Sequence, residues 1–521
     1  MKWKFSLIVF IASLLLFSTG INRSSIYILD ESKNAQCAWE MYHSDNMTVP
    51  TFNGKLRTDK PPLHYYLIMT GFRIWGKNAF AARIFSSLSG AILMALICIF
   101  IYTNAGFSLA FWTITILLSS VLWVFEFHLA VPDPFLILFV VTGLMCFFQF
   151  SQNLSKLMVI GMYISLSFGF LAKGPVAIVL PAIIILIYLF INKTLKWAFI
   201  KKMLLIPGIL IFLTINLPWY LLVHQATDGE WSKGFFLIHN FERFSMPKSG
   251  HGGNIFTTGL FFVAGLMPFI LFFPGIIKKF IENRQNKLLM FSLIVVLVFV
   301  VFFTFSRTKL PNYIMPCFPF AAIIFGNYMS DRKFGKPTRR NGILLILIIL
   351  FIITAAIPII FPYLAGFEPA LGHISEHGKL LFFLPFLVGT SIYLLLGGYF
   401  RSSFIVVAGA FSALSFILFY IIVPQIDRYN PVNINLEILQ KSQSVKYYRS
   451  LNPSFVFNYG QIGELNDTIE IRNHLQNPLN VLITSKEAMK DFPLFWSQYE
   501  LIYQEKDLFD SNYTTIICKK D

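Results

Sequence analysis

Roughly thirteen apolar runs, each near the ~20 residues that a hydrocarbon crossing needs, follow one another along this chain with mostly short polar turns between them. A chain so built must satisfy its backbone hydrogen bonds without water, so the runs are expected as helices in a bilayer. Their limits read 5-22, 79-101, 107-125, 134-150, 157-172, 174-192, 203-223, 257-277, 288-305, 313-329, 342-362, 379-397 and 402-424. The composition, 56% hydrophobic and 13% charged over 521 residues, lies outside that of soluble domains and fits a polytopic membrane protein.

A net charge of +16 would suggest nucleic acid in a soluble chain. Here the cations cluster in alternate turns, so no nucleic-acid partner is expected. Those turns carry Lys193, Lys196, Lys201 and Lys202, then Lys278, Lys279, Arg284 and Lys287, then Arg332, Lys333, Lys336, Arg339 and Arg340. The positive-inside rule puts them and the N-terminus in the cytoplasm, with the chain integral to the cytoplasmic (inner) membrane. Parity of an odd span number then puts the tail, 425-521, outside. Lys2 and Lys4 before a short apolar run also fit a signal, with Ser18-Thr19-Gly20 as a weak cleavage site; a retained first span is the preferred reading. Cys98, Cys146 and Cys317 fall within spans, and Cys37 and Cys518 are expected as free thiols, so no disulfide framework is expected.

Three stretches interrupt the alternation: outer loops 23-78 and 224-256, and the tail. In the first loop, Ala35, Ala38, Trp39 and Tyr42 recur at helical spacing, which predicts an amphipathic interfacial helix. A second should start at Pro61-Pro62 and run to Trp75-Gly76, holding Lys60 at a helix N-terminus suited to an anion. The tail mixes strand-like pieces (455-457, 481-484, 514-517) with helical ones (434-450, 485-490) and reads as a small α/β domain. The expected organisation is a transmembrane domain over 1-424, its site formed by the two outer loops, and an extracytoplasmic domain over 425-521.

Asp30 and Glu31 follow the first span, either as a solvated acid pair or as a general base or metal ligand. At the bilayer edge partial desolvation should raise a carboxylate's proton affinity. Lys60 reads as a snorkelling lysine or an anion clamp, and Asp59 as its neutralising neighbour. Asp133, Lys173, Arg307, Lys309 and Tyr313 fall on the same outer side. In the second long loop His239 more often marks structure than a ligand, whereas Arg243 has the planar fork that grips phosphate oxygens in pairs. Cations beside carboxylates at a lipid surface suit a reaction in which a lipid-linked phosphate leaves and a hydroxyl attacks.

Asp30-Glu31, Asp59-Lys60-Pro61-Pro62-Leu63, Ala81-Ala82-Arg83, Pro132-Asp133, Lys173-Gly174-Pro175, Glu242-Arg243-Phe244 and Lys309-Leu310-Pro311-Asn312-Tyr313 together resemble the aminoarabinose (lipid A) transferase branch of the protein O-mannosyltransferase-like membrane glycosyltransferases. The resemblance implies an all-α C-type fold and sugar transfer from a polyprenyl phosphate on the outer face. It implies Asp30 as the catalytic carboxylate and Asp133 as a second acid. Lys60, Arg243 and Tyr313, with Lys173, Lys309 and Arg83, would serve the donor phosphate, and Glu31, Asp59 and His239 would support the site or hold a divalent metal. The chain departs from the branch at Asp59, where Glu is common, and at His239-Asn240, which weakens a metal site there and the transfer of the lipid A acceptor.

The expected function is an inverting glycosyltransferase moving sugar from a polyprenyl-phosphate donor to a glycolipid, lipid A favoured. The alternatives are a protein acceptor within the same chemistry, a transporter or flippase of the lipid-linked sugar, and a scaffold. Membrane lipids are expected partners, no cofactor is certain from the motifs and a divalent metal stays open, and the tail is expected to shape acceptor access.

Overall fold

In the computed structural model, which describes residues 1–242, 253–331, 337–366, 369–508 and 512–519, every expected apolar run coincides with a helix or a broken pair of helices. The first nine helices are α1 (Lys2–Phe17), α2 (Leu29–His43), α3 (Leu63–Trp75), α4 (Ala79–Ala105), α5 (Phe107–Ser119), α6 (Val121–Glu126), α7 (Asp133–Asn153), α8 (Lys156–Lys173) and α9 (Val176–Ile191). Among the described residues, 8 helices are long and apolar enough to cross a bilayer. Thr257–Gly265 and Phe269–Glu282 make a further candidate, bent by 100° where Pro268 cannot donate to the helical ladder. The other runs form shorter helices, among them α5 and α9.

Local chemistry sets the ends that matter to the site. Asn78 caps α4 by accepting from the backbone N–H of Ala81 at 2.8 Å. α8 stops at Gly174, whose φ of +85° few other residues adopt. A Cβ there would also lie 2.6 Å from the Phe235 ring. Lys173 is thereby presented at the very end of α8, and Pro175 opens α9.

One apolar core runs through the bundle, with Trp112, Phe147 and Phe291 fully enclosed. A second lies under the first loop, where Ala35, Ala38 and Met41 of α2 meet Tyr65 and Phe72 of α3, with Phe457 from the tail. This refines the expectation of an interfacial α2. The helix forms with the predicted period, but protein covers its apolar face, and Trp39 packs edge-on against Phe72 at 5.8 Å. α3 starts after Pro62 and ends at Gly76, as the prolines and glycine predicted.

The tail carries a five-stranded mixed sheet in the order β4-β3-β5-β7-β6, built from β3 (Ser444–Tyr448), β4 (Gly463–Leu465), β5 (Asn480–Ser485), β6 (Tyr499–Lys506) and β7 (Tyr513–Lys519). β3 is parallel to β4 and β5, and β7 is antiparallel to β5 and β6. Central β5 is buried along almost all its length, as a strand covered on both faces must be. Two tail expectations are corrected. Residues 455-457 are helical within Pro453–Asn458, because Asn452 caps Ser454 and Pro453 occupies the first turn. The helix expected over 434-450 ends at Lys441, and the β-branched and aromatic Ser-Val-Lys-Tyr-Tyr segment becomes β3.

Candidate active site

Asp30 and Glu31 open α2 one residue apart, so the helix turns them about 100° from each other. Glu31 points inward and is fully buried. Its carboxylate accepts from Arg83 Nε and Nη2, both at 2.7 Å, and from the Ala130 backbone N–H at 2.9 Å. Arg83 also donates to the carbonyls of Ile21, Ser24 and Ser25 at 2.8 to 2.9 Å. Protein acceptors thus occupy the guanidinium of Arg83, for which a phosphate role was expected, and Arg83 does not line the recess described below. The pair ties the start of α2 to α4 and to the turn before α7.

Asp30 is exposed, yet surrounding protein is still the largest influence on its carboxyl and disfavours its charge. The charges of Lys60 and Arg57 outweigh that, so its pKa falls below the ordinary 3.8. The raised proton affinity expected from the bilayer edge is therefore corrected: the charges of the neighbouring cations outweigh desolvation and favour the ionised carboxylate.

Those cations are placed by a hairpin, β1 (Thr51–Phe52) and β2 (Lys55–Leu56), whose Asn53-Gly54 turn has positive φ at both residues. Glu40 of α2 accepts from Thr51 Oγ1 and Asn53 N, both at 2.7 Å, fixing the hairpin to the helix. Beyond the hairpin, Arg57 and Asp59 pair through Nε–Oδ1 at 2.6 Å and Nη2–Oδ2 at 3.1 Å, and Arg57 Nη2 donates to Asn34 at 2.8 Å. Burial would raise Asp59's proton affinity, but Arg57 outweighs it, with help from Lys60 and His239. The carboxyl is held far below the usual range.

Asp59 and Lys60 border a recess of about 500 Å³. Lys173, His239, Ser306, Thr308 and Tyr313 also line it, and Val179, Leu180, Phe299, Phe302 and Phe303 are among its apolar lining residues. Asp133, buried at the start of α7, forms an ion pair with Lys173. The Lys173 ammonium also sits 4.9 Å from the centre of the Tyr313 ring. Lys309 is buried and donates to the Ser306 carbonyl, in the turn that borders the recess, without lining it. Arg243 lies outside the described residues.

Glu31 and Asp59 are occupied by Arg83 and Arg57, and no group of three His, Cys, Asp or Glu side chains among the described residues is placed to hold a metal ion. These residues do not fit the divalent metal that the resemblance left open. Two residues went unassigned in the sequence. Arg57 organises Asp59 and acts on Asp30, and its spacing of two from Asp59 in extended chain was the available signal. Glu126, nearly enclosed at the end of α6, lies within electrostatic reach of Asp133 and Lys173, which only the fold brings together.

The family described as dolichyl-phosphate-mannose-protein mannosyltransferase matches residues 59–221. An undecaprenyl phosphate-alpha-4-amino-4-deoxy-L-arabinose arabinosyl transferase of Pseudomonas fluorescens is 27% identical over 353 residues, 66% of this chain and 63% of that protein. The corresponding transferase of Edwardsiella ictaluri is 28% identical over 68% of this chain and 64% of its own length. The chain thus spans a little under two thirds of these relatives. The crystal structure of ArnT from Cupriavidus metallidurans bound to undecaprenyl phosphate superposes with a TM-score of 0.80 at 18% identity, covering 98% of this chain and 97% of that one. The fold is therefore that of ArnT, and in sequence the chain resembles the aminoarabinose transferase branch of the protein O-mannosyltransferase-like membrane glycosyltransferases.

Proposed function

We propose that the protein is an inverting glycosyltransferase of the cytoplasmic membrane that moves sugar from a polyprenyl-phosphate donor to an envelope glycolipid on the outer face. The observation that carries this reading is the recess, which Lys60, Lys173 and Tyr313 line together with many apolar residues, among them Val179, Leu180 and Phe299. Such a lining suits a phosphate headgroup and its apolar chain, and the relatives named for undecaprenyl-phosphate aminoarabinose transfer support the reading.

In the proposed step the acceptor hydroxyl oxygen forms a bond to the anomeric carbon while the bond to the phosphate oxygen breaks. Asp30 takes the hydroxyl proton. Lys60 and Tyr313, together with Arg243, stabilise the departing polyprenyl phosphate, and Lys173, paired with Asp133, adds positive potential beside it. Residues 1-424 would supply this machinery and 425-521 a unit on the outer side. A 4-amino-4-deoxy-arabinose donor and a lipid A acceptor follow the relatives' branch; a protein hydroxyl is the second reading, favoured by the description of the matching family.

The test is purified protein in detergent with undecaprenyl-phosphate aminoarabinose and lipid A, read by mass spectrometry. A lipid A product heavier by one sugar supports the reading, and the absence of compartments excludes transport as its cause. Sugar on protein alone would replace the acceptor, and no product with either acceptor would overturn the proposal.

A further inference from the structure

The seven residues from Ser25 to Glu31 form the approach to Asp30, and residues far along the chain hold them. Asp427 ends the last candidate span, Phe400–Asp427. Its Oδ2 accepts from the Ser25 backbone N–H at 2.7 Å and its Oδ1 from Ser25 Oγ at 2.7 Å. Asn430 and Asn433 donate to the same two oxygens at 3.0 Å, so each carboxylate oxygen has two donors. The Ser25 carbonyl in turn accepts from Arg83 Nη2 at 2.8 Å, and Arg83 grips Glu31, the residue next to Asp30.

The following residues are held from the tail as well. Asn458 donates to the Ile26 carbonyl at 3.2 Å, and the Leu508 backbone N–H donates to the Tyr27 hydroxyl at 3.0 Å. The helix Pro453–Asn458 carries Phe457 into the core formed by α2 and α3. Residues 25 to 27 therefore have partners at 427, 458 and 508, and none of these partners lines the recess.

We infer that Asp427 is a positioning residue for the proposed base: through Ser25, Arg83 and Glu31 it sets where Asp30 stands relative to Lys60. The inference rests on the reading of Asp30 as the base. It assigns the tail a part in the rate of transfer, beyond the acceptor access that its sequence suggested. Its physical content is that a charged acceptor with four donors holds a loop whose displacement by about 1 Å can cost about 100-fold in rate.

Full-length Asp427→Asn and Asp427→Ala, purified in detergent, test it by steady-state kinetics across pH and by polyprenyl-phosphate binding. The expected result for Ala is a kcat lower by about 10- to 100-fold, with donor KM and polyprenyl-phosphate affinity within about twofold of wild type. The acid limb should move to higher pH, because an Asp30 shifted away from Lys60 and Arg57 loses the charges that lower its pKa. Asn, which keeps one acceptor oxygen, should recover part of the loss. An unchanged kcat, or a reduced kcat with an unmoved acid limb, overturns the inference. If the Ala protein has lost polyprenyl-phosphate binding and so its fold, Ser25→Ala decides, with a smaller fall in kcat and the same shift supporting the inference and wild-type behaviour overturning it. Full activity in Asp30→Asn would instead sink the base assignment, which separates the two failures.

Discussion

Replacing Arg83 with methionine separates the structural role that its contacts indicate from the phosphate role that its motif suggested. The substitution keeps most of the side-chain length and removes the charge. It leaves the fully buried Glu31 carboxylate with the Ala130 N–H as its remaining partner and strips donors from the carbonyls of Ile21, Ser24 and Ser25. Removing one member of a buried pair costs about 3 to 5 kcal/mol, and the carbonyls add to it. Glu31→Gln should cost less, because Arg83 keeps its three carbonyl acceptors and the amide oxygen still accepts a hydrogen bond. Thermal unfolding in detergent, followed by intrinsic fluorescence, should therefore rank wild type above Glu31→Gln above Arg83→Met. The folded fraction of Arg83→Met, selected by size exclusion, should bind polyprenyl phosphate with near wild-type affinity. A wild-type melting temperature combined with a large loss of phosphate affinity would refute the reasoning and return Arg83 to the donor site.

Other consequences are independent. Asp30→Asn should lower kcat by about 10²- to 10⁴-fold while donor binding persists, measured by single-turnover transfer. Lys60→Met should raise donor KM and move the acid limb of the pH profile upward, since it removes the largest charge that lowers Asp30's pKa. The folded Asp59 carboxyl is depressed from 3.8, so it contributes stability that is present above that value and lost as pH falls below it. Arg57→Gln should accordingly destabilise at pH 7 and narrow the difference from wild type as pH is lowered toward 3, in melting curves across pH. Val179→Trp, which fills part of the recess beside its apolar lining, should raise KM more for a long polyprenyl donor than for a short one.

Spans and turns were legible because the bilayer imposes a length and an apolarity that survive in one dimension. Helix limits such as Ala79–Ala105 and Lys287–Phe305 lie close to the runs of Leu, Ile, Val and Phe that predicted them. The bend at Pro268 was not read, since apolarity alone does not report direction. In the site, Asp59-Lys60 and Lys173-Gly174-Pro175 could be read because proline and glycine fix where a helix begins or ends. What could not be read were pairings across the chain. Glu31 and Arg83 are 52 residues apart and Ser25 and Asp427 are 402 apart, and only packing of the tail onto the first loop brings the second pair together. The direction of Asp30's pKa was missed for the same reason. Desolvation was visible in the sequence, whereas the position of Arg57 was not.

In the proposed reaction Asp30 accepts a proton as sugar leaves a polyprenyl phosphate held at Lys60. Its most direct test is single-turnover transfer from a polyprenyl-phosphate sugar to purified glycolipid, with wild type and Asp30→Asn at equal, measured donor occupancy. Wild type should add one sugar mass, and the variant should do so at a rate lower by about 100-fold or more. Transfer by Asp30→Asn at the wild-type rate would contradict it.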